Sequence, residues 1–128
     1  MKKIIVFINL CLSLITYSQE EIKMREAFKL SIPVDSEHNY GMEVKESPYF
    51  VKENILQIYP GEKIFIESEI SNDTLVSMKV VKHIKYPEKT IELEFSIDSS
   101  NRNNLSSMLI IKNPFDKKLS YKAMMYTP

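Results

Sequence analysis

The chain has 128 residues with 17 basic and 17 acidic side chains, which is the size of one domain and leaves no formal net charge. That balance argues against a general nucleic-acid or anionic-membrane binder, because such proteins concentrate Lys and Arg to meet phosphates. An apolar fraction of 44% argues against disorder, and two glycines alone, Gly41 and Gly61, leave almost no room for a glycine-rich phosphate loop.

The first stretch, "MKKIIVFINLCLSLITYSQE", reads as a secretory signal peptide. Lys2 and Lys3 form the positive start. An apolar run from Ile4 to Ile15 follows, too short for a spanning helix. Thr16 and Ser18 supply the small residues of a cleavage site, so residues 1–18 are expected to be removed and 19–128 to form the domain. The single cysteine, Cys11, lies inside the apolar run. The residue before it is Leu10, where lipidation wants a small side chain, so Cys11 is not read as a lipid anchor. With the leader gone no cysteine remains, and the domain has to rely on its apolar core.

Beyond the leader, strict alternation of apolar and polar residues dominates, the period of half-buried strands. The segment Glu20 to Phe28 is the one helix-like exception. "AFKLSIP" turns Phe28, Leu30 and Ile32 inward; "YGMEV" turns Tyr40, Met42 and Val44 inward; "YFV" and "NILQIYP" add short strands. "EKIFIESEI" puts Ile64, Ile66 and Ile70 inside with Glu67 and Glu69 in water. "LVSMKVVKHI" puts Val76, Met78, Val80 and Ile84 inside. In "TIELEFSID", Ile91, Leu93, Phe95 and Ile97 share one face, and Glu92 and Glu94 the other. The unbroken run Met108–Ile111 predicts burial on both faces. Turns fall at "YPGEK", "ISNDTL", "YPEK", "DSSNRNN" and "KNPFDKK", each carrying Asn, Asp, Gly or Pro.

Two pairings follow. The segments Leu75–Lys85 and Thr90–Asp98 are expected to form a hairpin over "YPEK", with Val80 opposite Phe95, Met78 opposite Ile97, His83 opposite Glu92 and Lys82 opposite Leu93. "LSYKAMMYT" is expected to return along "SSMLIIK" as the last strand, with Leu119, Tyr121, Ala123 and Met125 in the core. Its other parity, Lys122, Met124 and Tyr126, is expected to be either covered by the N-terminal segment or exposed as a contact surface.

Seven to eight short strands in about 110 residues imply two packed antiparallel sheets. In architecture the chain resembles the small immunoglobulin-like sandwiches of bacterial cell envelopes, without the Cys…Trp…Cys signature of antibody-type domains. Together with the leader, this architecture gives the expectation of an exported, periplasmic or secreted accessory domain.

Chemistry is sparse. His38 and His83 are far apart, no spacing suits zinc and no acidic loop suits calcium, so no metal or cofactor is expected. No serine sits in a glycine-flanked elbow, and the paired glutamates lie about 7 Å apart along one strand face rather than across a cleft. The expected function is therefore non-catalytic recognition of an envelope protein through an exposed face or strand edge, with Lys122, Met124 and Tyr126 as the contact residues. The alternative is a small-ligand or glycan binder using Tyr49, Tyr59 and Tyr86, weakened by the absence of Trp. A hydrolase comes third. Asn72-Asp73-Thr74 and Asn104-Leu105-Ser106 match the N-glycosylation pattern. Asp73-Thr74-Leu75 resembles the acceptor of an envelope O-glycosylation system, with Thr74 as its hydroxyl.

Overall fold

The computed structural model describes residues 20–126, so the leader, its cleavage point and Cys11 lie outside the described residues. Those residues form an all-β, antiparallel structure. The strands are β1 (Met24–Arg25), β2 (Phe28–Pro33), β3 (Asn39–Val44), β4 (Ser47–Pro48), β5 (Phe50–Lys52), β6 (Ile55–Leu56), β7 (Lys63–Ser71), β8 (Thr74–Val81), β9 (Thr90–Asp98) and β10 (Ser106–Lys112). The helix-like segment Glu20 to Phe28 is extended. It holds β1, the start of β2 and an isolated bridge from Glu21 to Val81.

The main sheet has four strands in the order β10-β9-β7-β8; β1-β4, β2-β3 and β5-β6 are two-stranded ribbons. The expected hairpin between Leu75–Lys85 and Thr90–Asp98 does not form. Both of its strands pair instead with β7, which lies between them, so Ile66 has Val80 on one side and Ile91 on the other. The physical cause is the turn at Asn72 and Asp73. Both residues take positive φ, 51° and 61°, between the paired Ser71 and Thr74. A two-residue turn with both central residues left-handed matches the twist of a tight hairpin, and Asn and Asp tolerate it best. That turn commits β8 to β7. "YPEK" becomes a 3-10 turn (Pro87–Lys89) in a longer connection, so the pairs His83–Glu92 and Lys82–Leu93 do not exist.

A register shift between Glu69 and Ile70 explains a second departure. Before it Ser68 faces Met78; after it Ile70 faces Leu75. The extra residue of such a bulge breaks the alternation, and Val76, expected inside, is 61% exposed.

The core gathers on one face of the main sheet. Ile64, Ile66, Val80 and Ile91 are buried there, each contributing about 1.5–3 kcal/mol relative to an exposed side chain. Phe50 of β5, Leu56 of β6, and Tyr49, Ile58, Phe115 and Leu119 from loops pack over them. "YPGEK" forms the expected turn: the Glu62 N–H donates to the Tyr59 carbonyl at 3.0 Å, and Gly61 takes a φ of 90°, where a side chain would be strained. The Gly61 N–H then donates to the Phe95 carbonyl at 2.7 Å and docks the turn on β9. The β2–β3 ribbon buries Leu30 and Val44 and meets the rest through Phe28, edge-on to Tyr59 at 5.8 Å.

The chain after β10 is not a strand. Residues 113–126 have no regular structure. Asn113 binds the Lys117 carbonyl and the Phe115 N–H, making a local turn, and Phe115 and Leu119 supply the core contacts. Tyr121 and Met125, expected in the core, are 65% and 63% exposed. β10 is an edge strand rather than a doubly buried one, so Met108, Leu109 and Ile110 are exposed.

Candidate functional site

Exposed apolar side chains concentrate on β10 and the tail beside it: Met108, Leu109, Ile110, Tyr121, Met124, Met125 and Tyr126. Along β10, Ser107, Leu109 and Ile111 stand opposite Ile97, Phe95 and Leu93 on the core face. Ser106, Met108, Ile110 and Lys112 stand opposite Asp98, Ser96, Glu94 and Glu92 on the outer face. Met108 is 53% exposed. Pairing with β9 leaves the other edge of β10 without a strand partner among the described residues. The tail comes back to this strand: the Ser107 hydroxyl lies 3.6 Å from the Met125 sulfur. Met124 and Tyr126 are 81% and 86% exposed, and Lys122 is exposed with them. Of the two outcomes open to those three residues, the structure places them in solvent rather than under the N-terminal segment, which instead pairs with β8: the Ile22 N–H donates to the Val80 carbonyl at 2.8 Å.

Two buried charged groups sit elsewhere. Arg25 is 2% exposed. Its guanidinium lies between the rings of Tyr49 and Tyr59, 4.5 and 4.9 Å from their centroids. Nε donates to Glu62 Oε1 at 2.7 Å, and Nη2 to Glu62 Oε2 at 3.0 Å and to the Gln57 carbonyl at 2.7 Å. Nη1 makes a longer contact, 3.4 Å, with the Pro48 carbonyl. Glu62 Oε2 also accepts the Tyr59 N–H at 2.7 Å. Burial pushes the Tyr49 phenol up, the Glu62 carboxylate adds to that, and Arg25 opposes it. This cluster is saturated by its own chain and acts as a structural staple. Sequence reasoning missed it because its members are scattered and no local spacing joins them.

Glu67, expected in water, is 5% exposed. It does lie on the outer face, between Lys79 and Thr90, but its neighbours cover it. Lys79 Nζ is 3.2 Å and Lys89 Nζ 3.9 Å from Oε1, while Oε2 is buried without a hydrogen-bond partner. Lys89 also binds Glu69 at 2.6 Å and lies over the Tyr86 ring at 4.6 Å.

The glycan-binding alternative relied on Tyr49, Tyr59 and Tyr86, and all three are engaged by Arg25, Lys85 or Lys89. A depression lined by Val34, Asp35, Ser36, Arg102, Asn103 and Leu105 is wide open to solvent. His38 and Asp35 form a pair there with Nδ1 2.9 Å from either carboxylate oxygen, but the side chains are largely in water and the pair organises a turn. Among the described residues, no group of three His, Cys, Asp or Glu is placed to hold a metal, and no helix is long and apolar enough to cross a membrane. Thr74 is exposed just after the β7–β8 turn, its hydroxyl 3.4 Å from the Asn72 carbonyl. No protein-family model, curated protein or solved structure matches this chain.

Proposed function

We propose that the chain is an exported, non-catalytic module of the bacterial cell envelope that recognises another protein through the β10 edge and the adjoining tail. The observation that carries this reading is the open edge of β10, with Met108, Leu109 and Ile110 consecutively exposed and Met124 and Tyr126 uncovered on the tail. Monomeric surfaces seldom leave such a group of large apolar side chains in water without a use for it. An open strand edge is a ready site for an added strand. Export is supported by the positive start and apolar run of residues 1–18. An immunoglobulin-like sandwich is the finer architectural reading; it is supported by the covering of the main sheet's core face by the β5–β6 ribbon and flanking loops.

The test is affinity capture from native envelope with wild-type, Ile110→Lys and Met124→Ser proteins, each checked for folding by circular dichroism. A specific envelope protein retained by the wild type and lost by both variants is the expected result. Equal retention by all three would remove this surface from the function.

A further inference from the structure

The open edge of β10 can pair with a second copy of itself without setting like charges against each other. Natural edge strands are protected by charged side chains, a proline, a bulge or a covering segment. Between Ser107 and Ile111 β10 carries no charge, proline or bulge, its pairing with β9 runs without a register shift, and the tail touches it at Ser107 without adding a strand. An antiparallel copy of β10 centred on Leu109 pairs all seven residues. Ser106 meets Lys112, Ser107 meets Ile111, Met108 meets Ile110, and Leu109 meets its own copy. Centring on Met108 or Ile110 leaves two residues of the strand without a partner, and the second choice also sets Met108 against Lys112.

The parity also holds. A two-fold axis perpendicular to the sheet keeps each copy's core face on the same side, so the two four-stranded sheets continue as one. On the outer face, Met108 and Ile110 of the two copies form one apolar block. The flanking charges are complementary. Asp98 pairs with Ser106 across β9–β10 and has no ion-pair partner among the described residues. In the self-paired arrangement Lys112 of the second copy, which lies 3.7 Å from Glu92 of its own chain with its side chain 63% exposed, enters that same row and can turn from one carboxylate to the other. It lies two strand spacings, about 9.5 Å, from Asp98, a gap that a lysine stem and an aspartate span together. Met125, in contact with Ser107, is brought up to Ile111 of the second copy.

We propose that the chain self-associates by antiparallel pairing of β10 with β10 of a second copy, in the register centred on Leu109. This does not depend on the envelope-partner reading, and because both use the edge of β10 away from β9, a second copy and an envelope partner would exclude each other there.

Directly opposed residues in antiparallel strands have Cα atoms about 4.5–5.5 Å apart, within disulfide range. In a Cys11→Ser background, Leu109→Cys should form a disulfide-linked dimer under mild oxidation. Met108→Cys and Ile110→Cys should each link poorly alone, yet link readily when mixed. Sedimentation equilibrium of the cysteine-free protein should show a reversible dimer whose dissociation constant rises at least about tenfold with Ile110→Lys and is unchanged by Thr74→Ala. A monomer at every concentration, a dimer indifferent to Ile110→Lys, or efficient self-linking of Met108→Cys would each overturn the proposal. A protein that is monomeric alone yet captures an envelope partner through β10 would overturn self-association while leaving the functional reading in place.

Discussion

Arg25 and Glu62, 37 residues apart in sequence, are joined by two charge-assisted hydrogen bonds of 2.7 and 3.0 Å under cover of Tyr49 and Tyr59. The pair fastens β1 to the turn that docks on β9, and the Gln57 carbonyl ties in the segment after β6. Removing one partner of a buried pair leaves the other uncompensated, which costs about 3–5 kcal/mol. Arg25→Ala should therefore lose that much in urea unfolding, a large part of a typical domain's stability. Arg25→Lys should not restore it, because an ammonium has neither the planar fork nor the flat face that the two rings hold. Glu62→Gln removes the counter-charge and sets an NH2 against donors that a carboxylate oxygen now accepts from, so it should cost a comparable amount, about 3–5 kcal/mol. Equal stability of Arg25→Lys and wild type would show that charge alone matters.

Glu67 sets up a second, asymmetric pair of substitutions. Lys79→Ala leaves a 5% exposed carboxylate with only Lys89 at 3.9 Å to balance it. Glu67→Met leaves two lysines whose side chains are 24% and 27% exposed and can swing into water. The expected order is a loss of about 3 kcal/mol for Lys79→Ala and about 1 kcal/mol or less for Glu67→Met. Thermal or urea denaturation of both variants measures this. The reverse order would mean that Glu67 is stabilised by more than its lysines.

The acid limb of the stability curve should carry a signature from Asp35. Its carboxyl is lowered from 3.8 to about 2, first by the Glu37 N–H, then by the His38 N–H and the His38 ring. The folded value lies below the unfolded one, so the contribution is complete above about pH 3.8 and is lost as pH falls through about 2. Asp98 shifts the same way, chiefly through the Ser100 N–H. A carboxyl-carbon NMR titration should find Asp35 titrating well below an ordinary aspartate, with the β2–β3 turn loosening in the same range. Titration near 3.8 would show that the turn is not closed in solution.

Single strands were legible in the sequence where alternation is strict. β2, β7 and β9 lie where the period of two puts them, and Ile64, Ile66, Val80 and Ile91 are the core that the pattern implies. Pairing was not legible, because alternation fixes a face and says nothing of which neighbour shares it. "YPEK" and "SNDT" are both plausible turns; the left-handed pair at Asn72 and Asp73 decided between them. Alternation also fails where an extra residue enters, as at Val76, and where a long run sits at an edge, as at Met108–Ile111. Lys122, Met124 and Tyr126 were legible as a stripe but not as a strand, because Phe115 and Leu119 already supply the tail's core contacts.

That last point yields the sharpest stability comparison. Ile66 is buried at the centre of the main sheet, between Val80 and Ile91, and Ile66→Ala should cost about 2–5 kcal/mol through lost transfer energy and the cavity left behind. Met125 is 63% exposed, with its sulfur resting against Ser107, and Met125→Ala should stay within about 0.5 kcal/mol of wild type. Met124→Ser, at an 81% exposed position, should be equally neutral in the isolated protein. Urea unfolding of the three variants at low protein concentration, where any dimer is dissociated, separates the cases. A Met125→Ala loss comparable with that of Ile66→Ala would mean that the tail packs as a true last strand in solution, and the stripe of Met124 and Tyr126 would then belong to the fold rather than to a partner.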